Sequence, residues 1–221
     1  MRFLALDSMY IRTQEELIDF AYCNYGRFSS PYAAKHDIHI IPEDQLKWIE
    51  DTVMASEEPC ILLSHDSIGD ELLHVRNNHE VWEIISRANQ HRRRVIAAFN
   101  GHNHVDGLTI RRGVPFVSFN SASNIWIGMQ YATTRYSETI NRLYPSLRGT
   151  APYFDPLYAV VTVDDSGILI EGTKSCFVGP SPQELGFDPA LSAHVPAPVI
   201  RTRRLPLSAI EGEGVTDRFV L

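Results

Sequence analysis

Cysteine is scarce in this sequence, and long hydrophobic runs are absent. The 221 residues include three cysteines, which are widely spaced and form no Cys-x-x-Cys pair. This pattern argues against a disulfide framework and against a thiolate zinc site, and it favours a reducing compartment. No window of about 18 apolar residues occurs, and the apolar run at the N-terminus is too short for a secretory signal peptide. We therefore expect a cytoplasmic protein without a membrane partner.

Positive charge and phosphate-binding glycine motifs are also in short supply. Lysine and arginine total 20 against 27 aspartates and glutamates, so the formal net charge is −7. Because nucleic-acid binding depends on clustered positive charge, no nucleic-acid partner is expected. The sequence contains neither the Gly-x-Ser-x-Gly elbow nor the motifs GxxxxGK[ST] and GxGxxG. Their absence argues against a serine hydrolase and against a nucleotide-binding ATPase.

The first half of the chain alternates short apolar runs with amphipathic segments, which predicts a layered α/β core. Buried strands are predicted at residues 2–6, 60–63 and 95–99, and helices are predicted from Pro42 and over 80–90. Between the first strand and Pro42 the chain is irregular, with one short helix expected around Gln14–Ala21. Asn77 and Asn78 precede the second helix and are interpreted as caps. Ligands of such folds bind outside the carboxyl ends of the strands.

The second half of the chain is rich in β-structure. Strands are predicted at residues 108–111, 114–119, 157–163 and 168–171. The segment 186–221 is rich in proline and arginine, and we interpret it as an extended tail. The predicted organisation is therefore one domain over residues 1–185, followed by this tail.

Histidines follow two of the predicted strands. His65 ends the strand at 60–63, and His102 and His104 follow the strand at 95–99. Neighbouring parallel strands lie about 4.8 Å apart, so these side chains can converge on one ion. Gly101 is expected to allow the sharp turn that points both histidines inward. Imidazole ligands suit Mn, Fe, Zn or Ni, so the pattern predicts a divalent metal of unknown identity.

Polar neighbours of these histidines have two interpretations each. Asp66 and Asp70 follow His65, and they are either solvated loop acids or oxygen ligands. Asn103 lies between His102 and His104, where it either shapes the turn or contacts a substrate. No catalytic acid or base is assigned from the sequence.

Together these segments resemble the second half of the calcineurin-like metallophosphoesterases. The order and spacing of four segments carry the resemblance: Asp7-Ser8, Gln45-Leu46-Lys47-Trp48-Ile49-Glu50, Ser64-His65 and Gly101-His102-Asn103-His104. Three later segments are similar to a bacterial branch of that family: Asn120-Ser121-Ala122-Ser123, Ala151-Pro152-Tyr153 and Val178-Gly179-Pro180-Ser181-Pro182. The resemblance implies the C-terminal portion of a four-layer α/β/β/α sandwich. It also implies that His65 and His102 bind one metal of a pair and that His104 binds the other.

What the resemblance implies for function is metal-dependent hydrolysis of a phosphomonoester or phosphodiester by a metal-activated water. The family's upstream Asp-x-His, Gly-Asp and Gly-Asn-His motifs do not occur here. We therefore expect a truncated or half-site form, which hydrolyses such esters poorly or not at all alone and is completed by an N-terminal half in the same chain or on another polypeptide. A half-domain leaves a sheet edge and an apolar face uncovered, so a homo-oligomer is also expected. The alternative is a non-catalytic interaction or scaffold domain that retains the fold and at most one metal.

Overall fold

The computed structural model describes residues 1–14, 16–19, 37–69, 75–189, 195–210 and 214–215, which belong to two compact units. Unit 1 comprises Met1–His102, Leu108–Ser118 and the short segment Ser208–Thr216, and unit 2 comprises Asn103–Gly107 and Phe119–Leu207. The elements in chain order are β1 (Arg2–Leu6), β2 (Tyr10–Arg12), β3 (Leu17–Asp19), β4 (Asp37–Ile38), α1 (Glu43–Ala55), β5 (Cys60–Ser64), α2 (Asn78–Ala88), β6 (Val95–Asn100), β7 (Gly107–Arg111), β8 (Val114–Ser118), β9 (Asn124–Trp126), α3 (Glu138–Leu143), β10 (Thr150–Pro152), β11 (Ala159–Asp164), β12 (Gly167–Gly172), β13 (Arg203–Leu205) and β14 (Gly214–Val215).

The main sheet of unit 1 has the strand order β1-β5-β6-β8-β7-β14, and β1, β5, β6 and β8 run parallel. Strands β5, β6 and β8 are buried along most of their length, as expected for strands covered on both faces, whereas β1 at the edge of the sheet alternates between exposed and buried residues. Their register brings Leu6, Ser64, Asn100 and Ser118 to the same level across the sheet. The four carboxyl ends therefore form one edge. The mixed α/β class and the parallel sheet agree with the sequence analysis.

Helices α1 and α2 bury their apolar stripes in the core of unit 1. Pro42 precedes α1 and acidic residues occupy its first turn, where they complement the helix dipole. The buried residues of the two helices recur at helical spacing, and they are Leu46, Ile49, Val53, Val81, Ile84, Ile85 and Ala88. The helical periodicity of the sequence therefore located both helices correctly.

Asn77 does not cap α2 with its side chain, although it occupies the N-cap position. Its amide instead accepts from the backbone N–H of Ile41 at 3.0 Å and donates to the carbonyl of Ile41 at 2.9 Å. The buried Asn77 thus ties the segment before α1 to the start of α2. Asn77 thus occupies the cap position that the sequence predicts, but its side chain does not cap the helix, because it bonds to the backbone of Ile41.

The helix predicted around Gln14–Ala21 is also wrong. The described residues there form an antiparallel hairpin, in which Tyr10–Arg12 pairs with Leu17–Asp19. Thr13 sets the turn, because its backbone N–H donates to the carbonyl of Glu16 and its hydroxyl accepts from the N–H of Glu16. This local side-chain bonding competes with a helix.

Unit 2 contains two small antiparallel sheets, β9–β10 and β11–β12–β13. Its core comprises Val105, Ile125, Ile127, Ala151, Tyr153, Leu157 and Ile200. Buried hydrogen bonds connect Tyr153, Asn120 and Ala197 in this unit. The Tyr153 hydroxyl donates to the Asn120 side chain at 2.9 Å, and Asn120 in turn donates to the carbonyl of Ala197.

The segment after residue 185 includes β13, which pairs with β12 in unit 2, and the buried side chains of Ile200, Arg203 and Leu205. This part of the expected extended tail is therefore a strand within unit 2. The division of the chain at residue 185 stays a prediction. Within the described ranges, none of the helices has the length and hydrophobicity needed to cross a lipid bilayer.

Candidate metal centre

The level carboxyl ends of β5 and β6 bring His65 and His102 together. The backbone N–H of Gly101 donates to the carbonyl of His65 at 3.1 Å, which continues the contact between the two strands past their last paired residues. The Nε2 atom of His65 then lies 3.0 Å from the Nδ1 atom of His102. Their rings meet edge to face, with centroids 5.0 Å apart. That both bind a metal stays a prediction.

The backbone at this turn is unusual at the histidines and ordinary at the glycine. His102 and His104 have φ values of 61° and 52°, in the left-handed region, whereas Gly101 has no positive φ. The expectation that Gly101 makes the turn is therefore wrong. Non-glycine residues held in this region cost free energy, and they concentrate at functional sites.

Asp66 is the central carboxylate of the cluster. Its side chain is 1% exposed, so the interpretation as a solvated loop acid is wrong. The hydroxyl of Ser8 donates to Oδ2, and Nδ1 of His39 lies 3.1 Å from the same oxygen. Oδ1 lies 3.2 Å from Nδ1 of His102 and has no hydrogen-bond partner among the described residues. A buried carboxylate oxygen without a hydrogen bond is costly unless a cation approaches it.

The environment of Asp66 also fixes its ionisation. Burial raises the pKa of the carboxyl, but the nearby imidazole of His39, the hydrogen bond from Ser8 and the imidazole of His102 together outweigh it. The pKa of Asp66 is therefore lower than that of a free aspartate. The group is a carboxylate at neutral pH and is ready to act as an oxygen ligand.

His39 completes the cluster and was missed by the sequence analysis. Potential ligand atoms of His39, Asp66 and His102 all lie within 4.8 Å of one another. The position of His39 in the chain is the signal that could have identified it. In a strand–helix–strand unit the helix begins near the carboxyl ends of the strands, and His39 lies in the segment that leads into α1.

His104 and Asn103 belong to unit 2. Nδ1 of His104 lies 2.7 Å from the carbonyl oxygen of Asn124, which can only accept, so this nitrogen is the donor of the hydrogen bond. Both amide atoms of Asn103 are buried, and neither has a hydrogen-bond partner in the described part of the chain. Asp70 lies outside the described residues. The assignments of His104 as a ligand and Asn103 as a substrate contact stay predictions.

Asp106 holds the loop that contains Asn103 and His104 to the C-terminal strand of unit 2. Its side chain is fully buried and receives two hydrogen bonds from the guanidinium of Arg203, at 2.6 and 2.7 Å. The backbone N–H of Arg201 donates to the same carboxylate at 3.2 Å. Asp106 is therefore satisfied by unit 2 and has a structural role.

The cluster in unit 1 has the composition of a site for a single divalent ion. One ionised carboxylate and the imidazoles around it supply oxygen and nitrogen donors, which borderline metals such as zinc accept. Two nitrogens bound to a tetrahedral ion at 2.0–2.1 Å lie about 3.4 Å apart. Nδ1 of His102 lies 3.0 Å from Nε2 of His65 and 3.2 Å from Oδ1 of Asp66, and both distances are close to that value. The residues present fit a metal.

Comparison with known proteins finds distant structural likeness. No protein-family model matches the sequence, and no curated protein is similar to it. Among solved structures, the chain is similar to a dimetal phosphatase from Danio rerio, with 13% sequence identity and a TM-score of 0.40. The alignment covers 62% of this chain and 38% of the phosphatase chain. A likeness this distant leaves the functional argument to the residues of the site.

Proposed function

We propose that this protein is a metal-dependent phosphoesterase whose divalent ion binds among the side chains of His65, Asp66 and His102. The observation that carries the proposal is Asp66, an ionised carboxylate that is 1% exposed and has imidazoles on both sides. The motif resemblance supports the phosphoesterase lineage and the four-layer sandwich that this lineage implies.

Asp66, His65 and His102 each have a defined role in this proposal, and Ser8 supports Asp66. Asp66 supplies the negative charge that offsets the ion, and Ser8 fixes the orientation of the carboxylate by hydrogen bonding to Oδ2. His65 and His102 supply neutral nitrogen ligands from the ends of β5 and β6. When it is bound, a divalent ion polarises a phosphoryl oxygen and lowers the pKa of a bound water.

Hydrolysis of bis-p-nitrophenyl phosphate and p-nitrophenyl phosphate tests the proposal. The purified chain is assayed with added zinc or manganese, beside His102→Ala and the control His91→Ala, which changes an exposed histidine of unit 1. We expect slow metal-dependent turnover that falls at least about a hundredfold in His102→Ala and is retained in His91→Ala. Calorimetric metal titrations of the same proteins accompany the assay.

Two results contradict this proposal. Turnover that persists in His102→Ala places the chemistry elsewhere. Metal binding that depends on His102 without turnover of either ester supports the scaffold alternative instead.

The remaining expectations about partners and location are part of the same proposal. A small phosphate ester is the expected substrate, and self-association is the expected assembly, which light scattering after size-exclusion chromatography measures. The cytoplasmic location also stays a prediction.

A further inference from the structure

The backbone holds His39 in one place beside the cluster. Its φ is 60°, in the left-handed region, and its carbonyl accepts from the N–H of Arg76 at 2.9 Å. The next two residues, Ile40 and Ile41, are fully buried, and Ile41 is bound on both sides by the Asn77 amide. These contacts hold His39 in a strained conformation, and residues held in this way concentrate at functional sites.

The ring of His39 faces the donors of the proposed ion. Its Nδ1 lies 3.1 Å from Oδ2 of Asp66, and its centroid lies 5.3 Å from that of His102 at an interplanar angle of 60°. Ligands of one tetrahedral ion are separated by about 3.4 Å, so His39 has the reach of a ligand. The hydroxyl of Ser8 already donates to Oδ2, and orientation of Asp66 therefore does not require His39.

We propose that His39 is a ligand of the metal ion, so that the site combines imidazoles with a single carboxylate and selects zinc over oxygen-preferring ions. This inference rests on metal binding by the cluster, as proposed above. The segments that carry the resemblance to the metallophosphoesterases do not include His39, which lies in the segment before α1. Such a donor set favours zinc, whereas manganese and magnesium prefer carboxylate and water oxygens.

The test is His39→Asn in the full chain, with His91→Ala as the matched control. Asparagine tolerates a positive φ and keeps a polar side chain beside Asp66, but it removes the imidazole. We expect zinc affinity, measured by competition with a chromophoric chelator, to fall at least about a hundredfold in His39→Asn and to stay unchanged in His91→Ala. We expect manganese affinity to fall much less, so the selectivity for zinc narrows.

The outcomes separate this inference from the proposed function. If zinc affinity is the same in His39→Asn and the parent, while His102→Ala loses it, His39 is not a ligand and the proposed site stands. If the parent binds manganese but no zinc, the inference is wrong and the proposed function stands; if it binds neither metal, both are wrong. If His39→Asn lowers the affinities for zinc and for manganese equally, His39 has a structural role and does not select zinc.

A measurement on the parent protein keeps the inference testable if His39→Asn fails to fold. Diethylpyrocarbonate modifies accessible imidazoles, and mass spectrometry reports the modification of each histidine. We expect saturating zinc to suppress modification of His39 and to leave His91 unchanged. Modification of His39 at the same rate with and without zinc would overturn the inference.

Discussion

At the scale of single residues, the proposed metal site depends most on Asp66. A carboxylate with 1% of its side chain exposed is stable only with partners, and Ser8, His39 and His102 are those partners. The sequence pattern located His65 and His102, because a histidine after an apolar strand is a local signal. It did not identify Asp66 as buried or His39 as a neighbour, because both depend on where the segment before α1 packs.

The lowered pKa of Asp66 makes stability depend on pH in a defined direction. A carboxyl whose pKa is lower in the folded state stabilises the fold above its unfolded pKa, which is about 3.9, and loses that contribution as the pH falls through the folded value. We expect Asp66→Asn to lower the free energy of unfolding by about 1–3 kcal/mol at pH 7, because charge-assisted hydrogen bonds are lost.

Urea unfolding of the parent and of Asp66→Asn from pH 7 to pH 2.5 measures this difference. The gap between the two proteins should shrink below about pH 4, where the carboxyl of Asp66 becomes protonated. A gap that stays the same down to pH 2.5 would show that the charge of Asp66 contributes nothing to stability.

At the scale of elements, the parallel strands and both long helices followed from periodicity, whereas the segment between β1 and α1 did not. Apolar runs and helical stripes are local patterns that burial enforces. The hairpin β2–β3 depends instead on one turn at Thr13, and the attachment of Ile41 depends on Asn77 from another element. Contacts of this kind are set by tertiary structure and leave no periodic signal.

The loop after β5 passes close to β8, and this contact predicts the effect of one substitution. A Cβ at Gly69 would overlap Cβ of Phe116, which is buried in the core. We expect Gly69→Ala to lower the free energy of unfolding by about 1–3 kcal/mol, the usual cost of overpacking. Chemical denaturation measures the change.

Gly101→Ala is the matched control for stability. A Cβ at Gly101 would meet nothing closer than the carbonyl oxygen of His65 at 4.0 Å. It should therefore change the free energy of unfolding by less than about 1 kcal/mol. If Gly69→Ala were as stable as Gly101→Ala, the close packing of the loop on β8 would be wrong.

At the scale of the whole molecule, the proposed ion belongs to one of two units, which makes its effect on stability separable. Trp48 and Trp82 lie in unit 1 and the exposed Trp126 lies in unit 2, so Trp126→Phe leaves fluorescence that reports on unit 1. A ligand at 100 times its Kd stabilises the folded state by about 2.7 kcal/mol. We expect zinc to raise the Tm of this fluorescence transition by roughly 5–10 °C.

Three controls accompany this measurement. A chelator should return the Tm to its starting value, and Asp66→Asn in the same background should show no shift. Lowering the pH from 7.5 to 5.5 should reduce the shift, because protons compete with the metal for imidazole. An equal shift in Asp66→Asn would place the ion away from the cluster.

The pairing of Asp106 with Arg203 joins positions that lie 97 residues apart in the sequence. A ribosome adding 5–20 residues per second needs about 5–20 seconds to cover that interval. During this time the Arg203 guanidinium is not yet available to the carboxylate, and the contact between His104 and Asn124 must hold the turn to unit 2 without it. The histidine motif is thus translated early but reaches its final conformation late, when β13 leaves the exit tunnel.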